Sequence, residues 1–170
     1  MSQDWTAVIL AGGDGTRLRE LTQRIAGDDR PKQFCRVLGS ETLLEQTRWR
    51  VGRVIAPSRT FFSVTHRHED YYRPALAGVS RRNVVVQPDN RGTAPAILYA
   101  LMRLEAVTTS VATAIFPSDH YVSDDGAFMA RVESALSFVS QRPDLVVLLG
   151  IAADRPEIEY GWIEPGDPVA

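Results

Sequence analysis

Apolar residues along this chain alternate between two rhythms. Short, near-continuous apolar runs read as buried strands: Ala7-Val8-Ile9-Leu10-Ala11, Thr60-Phe61-Phe62-Ser63-Val64-Thr65, Asn83-Val84-Val85-Val86-Gln87, Ala112-Thr113-Ala114-Ile115-Phe116 and Leu145-Val146-Val147-Leu148-Leu149-Gly150. Helical periodicities lie between them. Thr42-Leu43-Leu44-Glu45 is a capping-box pattern that starts a helix burying Leu43, Leu44, Thr47 and Val51, broken at Ala56-Pro57-Ser58. His68 to Ala77 reads as helical. Thr93 to Ala106 places Ile97, Leu98, Leu101 and Leu104 on a buried stripe, and a helix around Phe128 to Ser140 puts Phe128, Val132, Leu136 and Val139 at core spacing. Glu20 to Arg30, with Gly27-Asp28-Asp29, is polar and irregular and reads as a mobile surface excursion closing at Pro31. No internal repeat or low-complexity segment interrupts the pattern.

Near-continuous apolar strands alternating with helices predict an α/β fold: a Rossmann-like, mostly parallel sheet with helices on both faces, in a single domain spanning residues 1–170. In that architecture ligands bind beyond the carboxyl ends of the strands. Three loops carry candidate chemistry there, each directly after a predicted strand: the glycine loop from Gly12, the loop from Gln87, and the Asp119 turn. They are expected to share one rim.

Composition narrows the function without choosing it. A 44% apolar and 24% charged chain of 170 residues is ordinary for a soluble domain with a sizeable core. The formal net charge of −2 gives no electrostatic case for nucleic acid or an anionic membrane, so any anion must be bound locally. A single cysteine, Cys35, excludes an internal disulfide framework and suits a reducing compartment; it reads as a small buried residue. Met1 to Trp5 runs into a core strand without a signal-like segment, and no apolar run approaches the ~20 residues of a membrane span. The expectation is a cytoplasmic protein.

Local chemistry is densest in Leu10-Ala11-Gly12-Gly13-Asp14-Gly15-Thr16-Arg17-Leu18. A strand feeds three glycines, whose missing Cβ lets the chain turn and bring backbone N–H groups against a ligand. Thr16, Arg17 and a second cationic segment, Arg30-Pro31-Lys32-Gln33, make this a phosphate-handling constellation. It is neither a P-loop, which needs Gly-Lys-Ser/Thr in register, nor the dinucleotide fingerprint, whose third glycine would fall on Leu18.

These segments resemble the sugar-1-phosphate nucleotidylyltransferases, most closely the mannose-1-phosphate guanylyltransferase branch. The match is carried by the glycine loop, Arg30-Pro31-Lys32-Gln33-Phe34, Gln87-Pro88-Asp89-Asn90-Arg91-Gly92-Thr93-Ala94-Pro95-Ala96-Ile97, Phe116-Pro117-Ser118-Asp119-His120, and Arg155-Pro156-Glu157-Ile158-Glu159-Tyr160-Gly161-Trp162-Ile163. It runs from about Trp5 to Gly166. Glu20 departs from the pattern, standing where the family carries proline. The resemblance implies an N-terminal nucleotidyltransferase part cut short of the C-terminal sugar-binding portion. Its reaction joins GTP and mannose-1-phosphate into GDP-mannose and pyrophosphate, by Mg²⁺-assisted in-line attack on the α-phosphate. Another nucleotide or hexose phosphate is the near alternative, and a catalytically silent nucleotide-binding module the distant one. A homodimer is the assembly to expect.

Residue by residue, the resemblance implies that Leu10, Ala11, Gly12 and Gly13 lie along the nucleoside, with Gly15, Thr16 and Arg17 on the β- and γ-phosphates. Arg17 is then the fork on departing pyrophosphate, and Lys32 the point charge on the α-phosphate or sugar phosphate. Gln87 would read a purine edge, with Asn90 ranked below it, and Thr93 and Ala94 would open a helix towards the ligand. Asp119 would hold Mg²⁺, although an aspartate after a strand serves equally as a helix cap. Tyr160, Gly161 and Glu164 would meet the sugar. His66 and His68 are spaced for a transition metal but lack the neighbours to complete one. His120 reads as structural or as a support for the neighbouring site residues.

Overall fold

In the computed structural model the strand predicted at the head of the chain becomes the centre of the sheet. The structure describes residues 4–110, 112–156, 158 and 161–167. Its strands are β1 (Trp5–Leu10), β2 (Thr60–Thr65), β3 (Val84–Gln87) and β4 (Ala112–Pro117), all parallel and ordered β3-β2-β1-β4. Its helices are α1 (Arg19–Ala26), α2 (Leu43–Val51), α3 (Glu69–Ala75), α4 (Thr93–Glu105) and α5 (Asp125–Gln141).

Strand register decides where the chemistry goes. Leu10 pairs with Ser63 on one side and Pro117 on the other, and Thr65 pairs with Gln87. All four strands therefore end at one rim. The chain winds outward from β1 to β3, then steps back across β1 to form β4, so the direction of winding reverses between β1 and β4. Crevices at such reversals are where open α/β sheets bind ligands.

Pleating sorts the side chains of β1 between two cores. Trp5, Ala7, Ile9 and Ala11 join Phe62, Val64 and Phe116 beneath α2, α3 and α5. On the other face Val8 and Phe61 pack under Ala100 and Leu104 of α4. Helices thus cover both faces, as the alternation predicts. The capping box forms as read: the Glu45 amide donates to Thr42 Oγ1 at 3.2 Å and the Thr42 amide to Glu45 Oε2 at 2.7 Å. Such a cap stabilises a helix by about 1 kcal/mol.

The structure departs from the expected pattern in three places. Residues 20–30 are largely helical rather than an irregular excursion, because Leu18, Leu21, Thr22 and Ile25 recur at helical spacing among good helix formers. Along α4 the buried stripe is Ala96, Ala100 and Leu104, while Leu98 is 61% exposed and Leu101 also faces outward. Small side chains let the helix lie close to the sheet and turn the larger ones away. Finally, the expected fifth strand does not form: residues 145–150 pair with no strand among the described residues, and Val146 is 89% exposed. A strand is a property of pairing and packing, not of one apolar run.

Candidate active site

The glycine loop is built by close backbone approach. Beyond β1 the Ala11 amide still donates to the Ser63 carbonyl, at 2.8 Å. A Cβ on Gly12 would lie 2.7 Å from Thr65 Oγ1 and 2.9 Å from Gln87 Nε2, so any larger residue there must displace one of these side chains. Thr65 Oγ1 donates to the Gly12 carbonyl at 2.8 Å. From the opposite side the buried Gln33 amide donates to the carbonyls of Ala11, at 3.0 Å, and Gly13, at 2.8 Å. With its carbonyls held from both sides, the loop has a fixed shape before any ligand arrives.

Gly15 takes a left-handed conformation, φ +62°, and a Cβ there would sit 3.1 Å from the Lys32 amide. The turn brings the loop against Pro31-Lys32. Lys32 Nζ lies 3.7 Å from Asp119 Oδ2, with both side chains partly exposed. Three segments remote in sequence, after β1, before α2 and after β4, therefore converge at the winding reversal. Arg17 and Thr16 are exposed on the single helical turn Thr16–Leu18 that follows Gly15.

A second tie joins the glycine loop to the loop after β3. Asn90 Nδ2 donates to Asp14 Oδ2 at 2.9 Å, while Asn90 Oδ1 accepts the Gly92 amide at 3.0 Å. The other Asp14 oxygen lies 3.2 Å from Nε2 of the buried His68. Burial pushes the His68 pKa down, against the pull of the Asp14 carboxylate. His68 Nδ1 has no hydrogen-bond partner among the described residues, and the ring lies edge-on to Phe34.

Past Gly92, α4 opens without a side-chain cap. Pro95 has no N–H and the Ala96 amide already bonds the Gly92 carbonyl, at 3.2 Å, so the exposed Thr93 and Ala94 carry the helix's open amides at the rim. Gln87 is buried and donates to Ser63 Oγ at 3.0 Å, underneath Gly12. Tyr160 lies outside the described residues. Gly161 and Glu164 are exposed, and no hydrogen bond or ion pair among the described residues joins either to the rim.

The donor set limits which ion could bind. No group of three or more His, Cys, Asp or Glu among the described residues could hold a metal. Asp119 offers one carboxylate on an open rim. That fits Mg²⁺, which takes one or two carboxylates and completes its shell with phosphate oxygens and water, and does not fit an ion needing a protein cage. His66 and His68 do not converge: His66 is exposed beside Glu69, at 3.6 Å, and His68 faces Asp14. Cys35 is fully buried, and burial pushes its thiol pKa up, away from nucleophilic use. His120 offers its backbone carbonyl to Arg50 Nη1, at 3.5 Å, a structural role.

Sequence reasoning missed Gln33, Thr65 and Asp14 as builders of the loop. Two of them left a signal. Thr65 is the polar end of an apolar strand at the rim, and Gln33 sits between a partly exposed lysine and a core phenylalanine, so burying it requires partners. Asp14 has no comparable signature, since its partners come from two other loops.

Comparison with known proteins bears on the family and the fold. The nucleotidyl transferase family model matches residues 6–169. Alginate biosynthesis protein AlgA of Pseudomonas aeruginosa is 34% identical over 158 residues, which are 92% of this chain and 31% of AlgA. A mannose-1-phosphate guanylyltransferase of Escherichia coli K12 is 29% identical over 164 residues, 94% of this chain and 33% of that protein. A crystal structure described as a mannose-1-phosphate geranyltransferase from Thermus thermophilus superimposes with a TM-score of 0.67 at 29% identity, over 81% of this chain and 38% of that one. The chain spans about a third of the length of the curated relatives it matches. No helix among the described residues is long and apolar enough to cross a membrane. With a family model covering nearly its whole length and a shared parallel-sheet fold, this chain belongs to the nucleotidyl transferase family.

Proposed function

We propose that this chain forms the nucleotide-binding part of a mannose-1-phosphate guanylyltransferase, which makes GDP-mannose and pyrophosphate from GTP and mannose-1-phosphate. The observation that carries the reading is the meeting of Lys32 and Asp119, 3.7 Å apart, beside a glycine loop whose backbone is already fixed.

The chemistry asks little of the protein in proton transfer. A phosphomonoester with a second pKa of about 6 is largely ionised at neutral pH, so the sugar phosphate is a nucleophile without a general base. What it needs is in-line placement and relief of repulsion between anions. Lys32 supplies a point charge at the α-phosphate or the sugar phosphate. Arg17 forks onto the β- and γ-phosphates and holds the departing pyrophosphate. The Gly15 turn and the open amides of Thr93 and Ala94 add uncharged donors at the same rim. Leu10 to Gly13 line the nucleoside, and the loop from Gln87 to Asn90 borders the base. Asp119 would hold Mg²⁺, which when bound neutralises phosphate charge. Tyr160, Gly161 and Glu164 are proposed to meet the sugar.

Thermal-shift titration of the full 170-residue chain with GTP, ATP, UTP and dTTP, with and without Mg²⁺, tests base preference, and GTP is expected to give the largest shift. Pyrophosphate release on adding mannose-1-phosphate tests catalysis. K32A should lower turnover by about a hundredfold or more while leaving melting unchanged. A second reading, nucleotide binding without turnover, is favoured by the exposure of Gly161 and Glu164, neither of which is tied to the rim among the described residues. It is selected if GTP shifts melting and no pyrophosphate appears.

A further inference from the structure

At the opposite end of the sheet from the glycine loop lies a cleft of about 650 Å³. It is framed by Arg48, Trp49 and Arg53 from the end of α2 and the turn beyond it, by Ser58 before β2, and by Ser80 and Arg82 in the connection from α3 to β3. Its floor is the buried trio Thr60, Phe62 and Asn83, and the Asn83 amide is fixed by the carbonyls of Ser58, at 3.0 Å, and Thr60, at 2.9 Å.

No acidic residue lines the cleft, and none of its three arginines makes an ion pair with a carboxylate among the described residues. Three arginines thus line one concavity in a chain whose net charge is −2. Arginine's planar fork matches phosphate oxygens two at a time. Trp49 adds an indole that is 63% exposed, with the Arg48 guanidinium 6.0 Å from its ring centre. An exposed aromatic ring beside cations suits a ligand that has both a planar ring and charge. The volume falls within the range of small-molecule sites.

We propose that this cleft is a second anion site, separate from the glycine-loop rim, that takes a nucleoside di- or triphosphate with its phosphates on Arg53 and Arg82 and its ring against Trp49. β2 separates the two sites, starting at the cleft with Thr60 and ending with Thr65 under Gly12. The site stands on its own geometry and does not depend on the catalytic reading above.

Trp49 is the reporter. Of the three tryptophans, Trp5 is buried in the core and Trp162 lies in the C-terminal segment, so the signal that W49F removes is the cleft's own. Titrating the full chain with GDP, and separately with inorganic pyrophosphate, should change Trp49 emission saturably. GDP should bind more tightly than pyrophosphate, because only GDP has a ring. R53S/R82S should weaken the GDP response at least tenfold, whereas K32A, altered at the rim, should leave it unchanged. Both replaced arginines are exposed, so melting should be unaffected, and R82S alone gives a second and milder readout. An unchanged response in R53S/R82S, a response lost in K32A, or no change in Trp49 emission with either probe would each overturn the proposal.

Discussion

Two apolar runs of similar composition meet opposite fates. In Ala7-Val8-Ile9-Leu10-Ala11, Val8 and Ile9 are completely buried, whereas in Leu145-Val146-Val147-Leu148-Leu149-Gly150, Leu148 is 70% exposed. Hydrophobicity does not separate them. β1 has a parallel neighbour on each side and a helix layer over each face, so its backbone pairs on both edges and its side chains pack into two cores. The later run pairs with no strand among the described residues. Order in this molecule therefore follows partners, and the rim is the place where side chains from several loops supply them.

That contrast predicts a graded response to mutation, steepest at the glycine loop. Of the loop substitutions, Gly12→Ala should have the largest effect. Its Cβ would press on Thr65 Oγ1, which holds the loop's own carbonyl, and on Gln87 Nε2. Overpacking of this kind costs about 2–3 kcal/mol, and the displaced loop should also lose the GTP-dependent thermal shift. Urea denaturation with and without GTP reads both, and a variant that keeps wild-type stability would mean the loop is not as tightly seated as drawn. Gln33→Leu should come next. It keeps the volume but leaves the Ala11 and Gly13 carbonyls without their donor, for a loss of about 2 kcal/mol. If instead the loop carbonyls find other donors, stability should be indistinguishable from wild type.

The same difference explains what could be read in the sequence. Strands β1 to β4 were legible because each is a short, mainly apolar and β-branched run followed by turn residues. So was the common rim, because a parallel sheet sends the ends of all its strands to one side. The helix stripe of α4 was misread: counting Leu98 and Leu101 as core ignores that small residues set how closely a helix approaches a sheet. The Asp14–Asn90–His68 tie could not be read at all, since three loops must be folded before those atoms meet. Local pattern reveals which elements form, and the packed topology decides which of their ends touch.

That tie should leave a mark on pH dependence. Burial lowers the His68 pKa below its ordinary value of 6.5, so the unfolded chain binds its proton more readily than the folded one does. Its contribution to stability is therefore complete above pH 6.5 and declines as pH falls from there toward the folded-state pKa. Asp14 and Arg67 are the charged groups acting on it, the first favouring the proton and the second opposing it. Melting temperature measured from about pH 8 to about pH 5.5 should fall on the acid side, and His68→Gln should flatten that part of the curve. A curve of the same steepness in the variant would assign the acid sensitivity to other groups.

The smallest effect is expected at the exposed apolar run, and it is the sharpest test of the contrast. Leu148→Ser and Val146→Ser remove side chains as hydrophobic as those of β1, yet neither is packed in a core cluster. Substitutions at sites without packing or hydrogen-bond partners stay within about 0.5 kcal/mol of neutral. Val8→Ser, by contrast, would leave both a hydroxyl and a gap between the sheet and α4 and should cost about 2–4 kcal/mol. Chemical denaturation of the three variants side by side gives the comparison directly. Should Leu148→Ser cost as much as Val8→Ser, the run is packed in solution against something that shields it as fully as α4 shields β1. Its apolar character would then reflect burial after all.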